Sequence, residues 1–276
     1  MLMSAQTSRY AHKMLAARAN AQQVPRLSED PALSLPDAYD IAKNILDIRI
    51  AQGEVPVGRK IGFTNRASWP SLGATQAMWA PVFDTTVRYT EDNHGLQSLT
   101  GAMQPRIEPE IIFKLGKTPP AGASLETVAQ CIEWVAHGFE IVVCPFADWE
   151  FNAVDAVAAF GLHGSLIIGE PKLLSPASRR NLADMLASSS TSLTCRHEDS
   201  YTLVAAGFGS NVLDSPVHAL WQLHRLLQTQ RQFAPLAEGE IIATGSWTNA
   251  YPINAGQTWS TAFSGISLPG LTVSFV

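Results

Sequence analysis

Cysteine is scarce in this chain. Cys131, Cys144 and Cys195 lie far apart and form neither a CxxC pair nor a zinc-ligand spacing. An odd, sparse set argues against a disulfide framework and suits reduced thiols in the cytoplasm. Long apolar runs are missing too; none approaches the roughly 20 residues of a membrane span. Nor does one sign of charge dominate. Nineteen Lys+Arg against 24 Asp+Glu leave a net charge of −5, which offers no general attraction to nucleic acid or anionic lipid. The chain has no HExxH, no P-loop, no GxSxG and no GxGxxG after a first strand. Its seven histidines are scattered, with no close metal-binding pair, and there is no internal repeat or low-complexity segment.

What is present describes a packed globular protein: 276 residues, 46% hydrophobic and 16% charged. A chain of this length buries roughly 75% of its unfolded surface. Patterning divides it into a helical N-terminal region (1–56) and a strand-rich domain (57–276). The first 26 residues carry Arg9, Lys13, Arg18 and Arg26 and no acid, as mitochondrial presequences do. They lead without a break into a patterned domain, so we read them as a surface helix. Tyr10, Met14, Ala17 and Ala21 make one stripe of a helix over 4–23. A second helix follows Ser34 as N-cap, with Asp37 three residues on in a capping-box arrangement, and ends at Gly53.

From residue 57 the pattern turns to short strands, expected at 57–63, 96–101, 107–115, 139–144, 162–168, around Leu193, and at 201–205, 240–244, 258–263 and 271–275. Residues 76–84 read as a loop. Helices are expected at 124–137, 153–159 and 215–230. Strands outnumber helices and many lack helical crossovers, so the fold class is α+β with a mixed or antiparallel sheet.

The run Gln104-Pro105-Arg106-Ile107-Glu108-Pro109-Glu110-Ile111-Ile112-Phe113-Lys114-Leu115 holds the most suggestive chemistry. Glu108 and Glu110 are two apart, so on a strand both carboxylates share a face, with Cα atoms roughly 6.6 Å apart. A hard divalent cation such as Mg²⁺ uses such oxygens; an edge strand with two solvated glutamates fits the spacing equally well. Glu140, alone inside the apolar Phe139–Val143 stretch, adds weight to the first reading. An unpaired charge there is costly, so it pairs with a cation or arginine or ligates a metal. A three-carboxylate Mg²⁺ or Mn²⁺ site accounts for all three acids. Asp148 and Asp155 read as caps or surface residues.

Lys60, between apolar residues and before Gly62, is either an inward-facing amine or a lysine on a wet strand face, and spacing alone favours the second. Near a cation or in an apolar pocket its pKa would fall. His163, between Leu162 and Gly164, reads as a satisfied core histidine or, less readily, as pocket lining. Ser246 and Thr248 follow a strand and a glycine; they offer donors to a substrate carboxylate or form an ordinary turn. Trp79, Trp149 and Trp247 either shape the apolar end of a pocket or are core.

Four segments in order resemble one family: Lys60-Ile61-Gly62-Phe63-Thr64, Pro105-Arg106-Ile107-Glu108-Pro109-Glu110, Phe139-Glu140-Ile141, and Gly239-Glu240-Ile241-Ile242-Ala243-Thr244-Gly245-Ser246. Together with the lead-in Leu33-Ser34-Leu35-Pro36-Asp37-Ala38-Tyr39, the chain resembles the fumarylacetoacetase-like superfamily over roughly residues 10–276. Within it, the chain is similar to the 2-oxopent-4-enoate hydratase and 4-oxalocrotonate decarboxylase branch. The resemblance implies a mixed β-roll core with a small helical N-terminal region. It also implies Mg²⁺ or Mn²⁺ on Glu108, Glu110 and Glu140, and Lys60 as the catalytic amine. Thr64, Arg106, His163, Ser165, Ser246 and Thr248 are the expected substrate contacts.

The expected activity is that of a cytoplasmic, homo-oligomeric lyase, a hydratase of small 2-oxo or 2-hydroxydienoic acids from aromatic-ring meta-cleavage, with no nucleic-acid or membrane partner. The rivals are decarboxylation, acylpyruvate carbon–carbon hydrolysis and a non-catalytic binding or assembly role. Two departures stand out. Ala77-Met78-Trp79-Ala80 lacks the acid that hydratases of this branch often carry in a Pro-Asp-Phe-Gly stretch. Ala159-Phe160-Gly161 replaces an Asp-Asn-Ala run, which points to altered substrate contacts. No His/Glu lid pair of the hydrolytic acylpyruvases is present.

Overall fold

The computed structural model describes residues 4–276; residues 1–3, the start of the expected 1–56 region, lie outside the described residues. α1 (Ser4–Ala19) is shorter than expected, and α2 (Leu35–Ala51) begins where the sequence places it. Ser34 accepts from the Asp37 N–H and Asp37 accepts from the Ser34 N–H, closing the capping box. The two helices pack on each other through Ala11, Met14, Ala38, Ile41 and Ile45, and their cluster continues into the β-rich part of the chain.

Strand β1 (Pro56–Gly62) follows, then the short α3 (Trp69–Leu72) and β2 (Met78–Phe83). β2 occupies most of the segment expected to be a loop. It is an edge strand, so Pro81, which has no N–H to donate, is tolerated there. β3 (Val87–Tyr89) and β4 (His94–Gln97) lead to the long β5 (Arg106–Leu115).

The helix expected over 124–137 is also corrected. α4 (Leu125–Gln130) stops early, and β6 (Ile132–Val142) takes the rest. Ile132, Trp134 and Val135 are strand formers, and pairing with β5 gives their backbone a partner that a helix would forgo. After α5 (Ala153–Ala158) come β7 (His163–Ile168), β8 (Lys172–Leu173), α6 (Pro176–Arg180) and α7 (Leu182–Ser188). Hairpin β9 (Ser190–His197) and β10 (Ser200–Phe208) precedes α8 (Pro216–Thr229), which Ser215 caps. β11 (Ile241–Ser246), β12 (Tyr251–Pro252), β13 (Gln257–Ser264) and β14 (Thr272–Phe275) close the chain.

The strands form two mixed sheets. One has nine strands in the order β2-β1-β11-β5-β6-β7-β3, with β12 attached to β5 and β8 to β6; the other has five, β10-β9-β13-β14-β4. Alternation on β5 and β6 divides their side chains between two environments. Ile107, Phe139 and Ile141 pack against Leu193, Trp259, Val273 and Phe275 of the five-stranded sheet. Glu108, Glu110 and Glu140 face the opposite way, toward a cleft.

Candidate active site

Register brings the acids together. Glu108 pairs directly with Glu140 across β5 and β6, and Glu110 lies two residues further along the same face of β5. Carboxylate oxygens of all three lie within 4.8 Å of one another. Glu110 and Glu140 are buried, whereas Glu108 is partly open to the cleft. Glu110 Oε2 accepts from the Gly245 N–H at 2.8 Å. Glu110 Oε1 is buried and accepts no hydrogen bond among the described residues, and buried Glu140 Oε2 has only the Lys60 ammonium beside it, at 3.3 Å. An oxygen-only set with two such buried oxygens suits a hard divalent cation.

Lys60 comes from β1 and points inward, 3% exposed, which rules out the wet-face reading. Its Nζ donates to Gly161 O at 2.9 Å and lies 3.3 Å from Glu140 Oε2, close enough for charge pairing. Burial pulls the amine's pKa down, but Glu140, Glu108 and Glu110 outweigh it and the net shift is upward. The fall expected from the sequence is therefore reversed while the carboxylates carry their charge. Burial drives Glu108 up to about 7, against Lys60, and takes Glu110 well above the usual carboxylate range, with Glu140 and Glu108 adding to it. Glu140 moves the other way: burial opposes its charge, but Lys60 and His163 together hold it below the usual value.

The cleft beside this cluster has a volume of about 330 Å³. Lys60, Glu108, Arg106, Thr64, Ser246 and Thr248 line it, as do Asn65, Ser68 and Asn249. Phe63, Leu72, Met78, Val142, Trp149, Phe151 and Leu162 supply its apolar wall. Arg106 stacks 4.1 Å from the Trp149 ring centre and forms no ion pair among the described residues, leaving its charge for an anionic ligand. A larger groove of about 440 Å³, between the start of β2 and α8, contains no carboxylate and touches the cleft only through Ile61 and Met78.

Two expected substrate contacts lie elsewhere. The His163 ring is buried, with Nδ1 2.7 Å from Glu140 Oε1 and Nε2 2.9 Å from Thr86 Oγ1, so it supports an acid from behind. Ser165 lines a separate pocket with Arg18, because β7 runs away from the cleft beneath Val142 and Ile141. Of the three tryptophans only Trp149 reaches the cleft. Trp79 packs on Tyr39 and Phe233, and Trp247 on Phe263. Asp155 caps α5 as expected yet is fully buried, bonding the Ser28 N–H and hydroxyl.

Sequence reasoning did not anticipate three contributors. Gly161 O, the acceptor for Lys60, lies in a segment singled out only for its altered composition. His137 Nδ1 donates to the backbone carbonyl Glu110 O (2.9 Å), and its Nε2 lies 2.8 Å from Thr261 Oγ1; a helix assigned across it concealed its strand environment. Arg18 reaches the carbonyls of His163 and Gly164 from α1, a contact no local pattern signals.

No protein-family model matches the chain. Individual proteins match along nearly its whole length. A 2-hydroxyhexa-2,4-dienoate hydratase of Comamonas testosteroni is 30% identical over 254 residues, 91% of this chain and 90% of its own. A 4-oxalocrotonate decarboxylase of Pseudomonas sp. is 26% identical over 252 residues, 90% of this chain and 91% of its own. The solved structure of 4-oxalocrotonate decarboxylase from Pseudomonas putida G7, complexed with magnesium and adipate, has a TM-score of 0.88 at 23% identity, covering 100% of this chain and 99% of that one. A putative fumarylacetoacetate isomerase/hydrolase from Oleispira antarctica shares the fold at a TM-score of 0.55 and 15% identity, covering 80% of this chain and 94% of that one, so the mixed sheets form a fumarylacetoacetase-like fold. Within that class the chain belongs to the 2-oxopent-4-enoate hydratase and 4-oxalocrotonate decarboxylase family.

Proposed function

We propose that the chain is a divalent-metal-dependent lyase that hydrates small 2-hydroxydienoic acids, of which 2-hydroxypenta-2,4-dienoate is the reference substrate. One observation carries this reading: Glu108, Glu110 and Glu140 converge beside buried Lys60, at a cleft where Arg106 has no acidic partner. The magnesium and dicarboxylate held by the solved relative support it. Glu108, Glu110 and Glu140 would hold Mg²⁺ or Mn²⁺, which when bound supplies Lewis-acid stabilisation of negative charge on a 2-oxo acid.

The chain's own residues do the rest. Arg106, with the hydroxyls of Thr64, Ser246 and Thr248, provides donors for the substrate's oxygens. Phe63, Val142, Trp149 and Phe151 pack the diene and restrict water. Lys60, charged and held by Gly161 O, gives a proton to the terminal diene carbon, and the neutral amine so formed takes up the proton that the C2 hydroxyl releases, leaving the lysine charged again. Water then adds its oxygen at C4 and a proton at C3.

Decarboxylation is the second reading, favoured by the composition of the cleft wall. Met78 stands in the stretch where hydratases of this branch often carry an acid, and among the described residues Glu108 is the only carboxylate lining the cleft. Loss of CO₂ needs no additional base to activate water. Turnover on 2-hydroxypenta-2,4-dienoate, 4-oxalocrotonate and an acylpyruvate with Mg²⁺ or Mn²⁺ separates the readings. Hydration keeps every carbon, and decarboxylation releases CO₂. Lys60→Ala is expected to lower turnover by about 10²–10⁴-fold with the fold retained. Wild-type turnover in that variant removes the lysine's role, and no turnover on the whole panel removes the lyase assignment.

The protein is further read as a cytoplasmic homo-oligomer with neither nucleic-acid nor membrane partners. The homo-oligomer and the location rest on the family resemblance; the net charge of −5 fits a chain without a nucleic-acid partner, and no helix among the described residues is long and apolar enough to cross a membrane.

A further inference from the structure

Three consecutive residues, Phe160, Gly161 and Leu162, adopt left-handed backbone angles, with φ of 59°, 60° and 61°. Glycine takes this conformation freely; phenylalanine and leucine do so only when surrounding structure holds them there. The strained turn has two outputs. Gly161 O meets Lys60 Nζ at 2.9 Å, and a Cβ at residue 161 would come within 2.8 Å of Ala80 Cβ and 3.4 Å of Lys60 Cδ, so backbone and lysine stem are in close contact. Just beyond the turn, His163 Nδ1 lies 2.7 Å from Glu140 Oε1. A carboxylate only accepts, so Nδ1 carries the proton; Nε2 lies 2.9 Å from Thr86 Oγ1, whose single hydrogen also faces Phe83 O at 3.0 Å.

What grips the turn comes from the other end of the chain. Arg18, in the last turn of α1, donates from Nη1 to His163 O at 2.6 Å and from Nη2 to Gly164 O at 3.0 Å. Its guanidinium also lies 4.8 Å from the centre of the Phe160 ring. It makes no ion pair with an acid among the described residues, so both forks of a rigid donor are committed to this backbone.

We propose that Arg18 is a positioning residue for the cleft, holding the left-handed turn in the shape that aims Gly161 O at Lys60 and the His163 ring at Glu140. The N-terminal helix thereby becomes part of the catalytic apparatus without touching substrate. The proposal rests on the reading of Glu108, Glu110 and Glu140 as a cation site.

The test uses the full chain and Mn²⁺ alone as probe. Arg18→Met is expected to weaken Mn²⁺ binding by about 10–100-fold in calorimetric titration, the range for loss of support behind a metal ligand. It is also expected to lower kcat with KM little changed, while melting temperature and circular dichroism stay close to wild type; Arg18→Lys recovers part of both losses. A folded Arg18→Met with wild-type Mn²⁺ affinity and kcat overturns the proposal. If Arg18→Met does not fold, Arg18→Lys decides on the same two readouts: weakened values support the proposal, and wild-type values overturn it.

A wild-type chain that takes up no Mn²⁺ refutes the cation reading separately. The NMR resonance of the Lys60 ammonium in metal-free protein then decides on Arg18. A shift in the variant supports the positioning role, and an unmoved resonance sinks it.

Discussion

Glu108 and Glu140 face each other across neighbouring strands, with one ammonium, Lys60, 3.3 Å from Glu140. The proton balance of this group predicts a pH dependence. Folded Glu108 keeps its proton up to about pH 7, whereas the ordinary value is 4.5. Its contribution to stability is full below about 4.5 and is lost as pH rises through about 7; Glu110 acts in the same sense. His137 acts in the opposite sense. Burial holds it down at about 4, so its contribution is present above 6.5 and is lost as pH falls toward 4, and His163 shares that direction.

The two trends oppose each other over one window, so melting temperature alone does not separate them. The increment added by Mg²⁺ does, because the histidines are common to both states while the cation replaces protons on the acids. That increment is expected to grow between about pH 5.5 and pH 8 in differential scanning calorimetry; a flat increment rejects the three acids as the binding set. At this scale the Glu108/Glu110 pair was legible, since side-chain period along a strand is local. The direction of Lys60 was not, because either face of β1 satisfied the same spacing.

Among the elements, β11 shows how a strand end is shaped for the site. Gly245 has φ of 108°, and its N–H reaches Glu110. A Cβ there would lie 2.3 Å from Thr64 Oγ1. Gly245→Ala is therefore expected to destabilise the chain by about 1–3 kcal/mol, at roughly 2–4 °C per kcal/mol for a domain of this size. It should also weaken Mn²⁺ binding by displacing Thr64 and the donor to Glu110. Calorimetry and metal titration check both, and an unchanged melting temperature contradicts the strain argument. The start of α2 was readable because its cap, Ser34, acts within one turn of itself. The boundary at Cys131 was not: the 132–137 run suits either state until β5 offers it hydrogen bonds across the sheet. β2 escaped notice for a related reason, because Pro81 reads as a loop residue unless its strand is known to be at an edge.

For the whole molecule, the five-stranded sheet leaves β10 as an open edge, with Tyr201, Leu203 and Phe208 each more than half exposed. An apolar edge of this kind is a pairing surface unless something covers it. If it serves the homo-oligomer proposed above, Leu203→Lys should lower the mass measured by light scattering while leaving the circular dichroism intact. An unchanged mass removes β10 from the interface.

The chain by itself determined features that close within a few residues: the shared face of Glu108 and Glu110, the capping box at Ser34, and the helix expected over 215–230. Tertiary structure alone decided that Glu140 meets Glu108 in register, that Lys60 turns inward, that His163 stands behind an acid and not in the cleft, and that Arg18 reaches across 145 residues to His163. Those outcomes depend on which strands pair and in what register, and pairing is settled by burial summed over the whole core, which no local window contains.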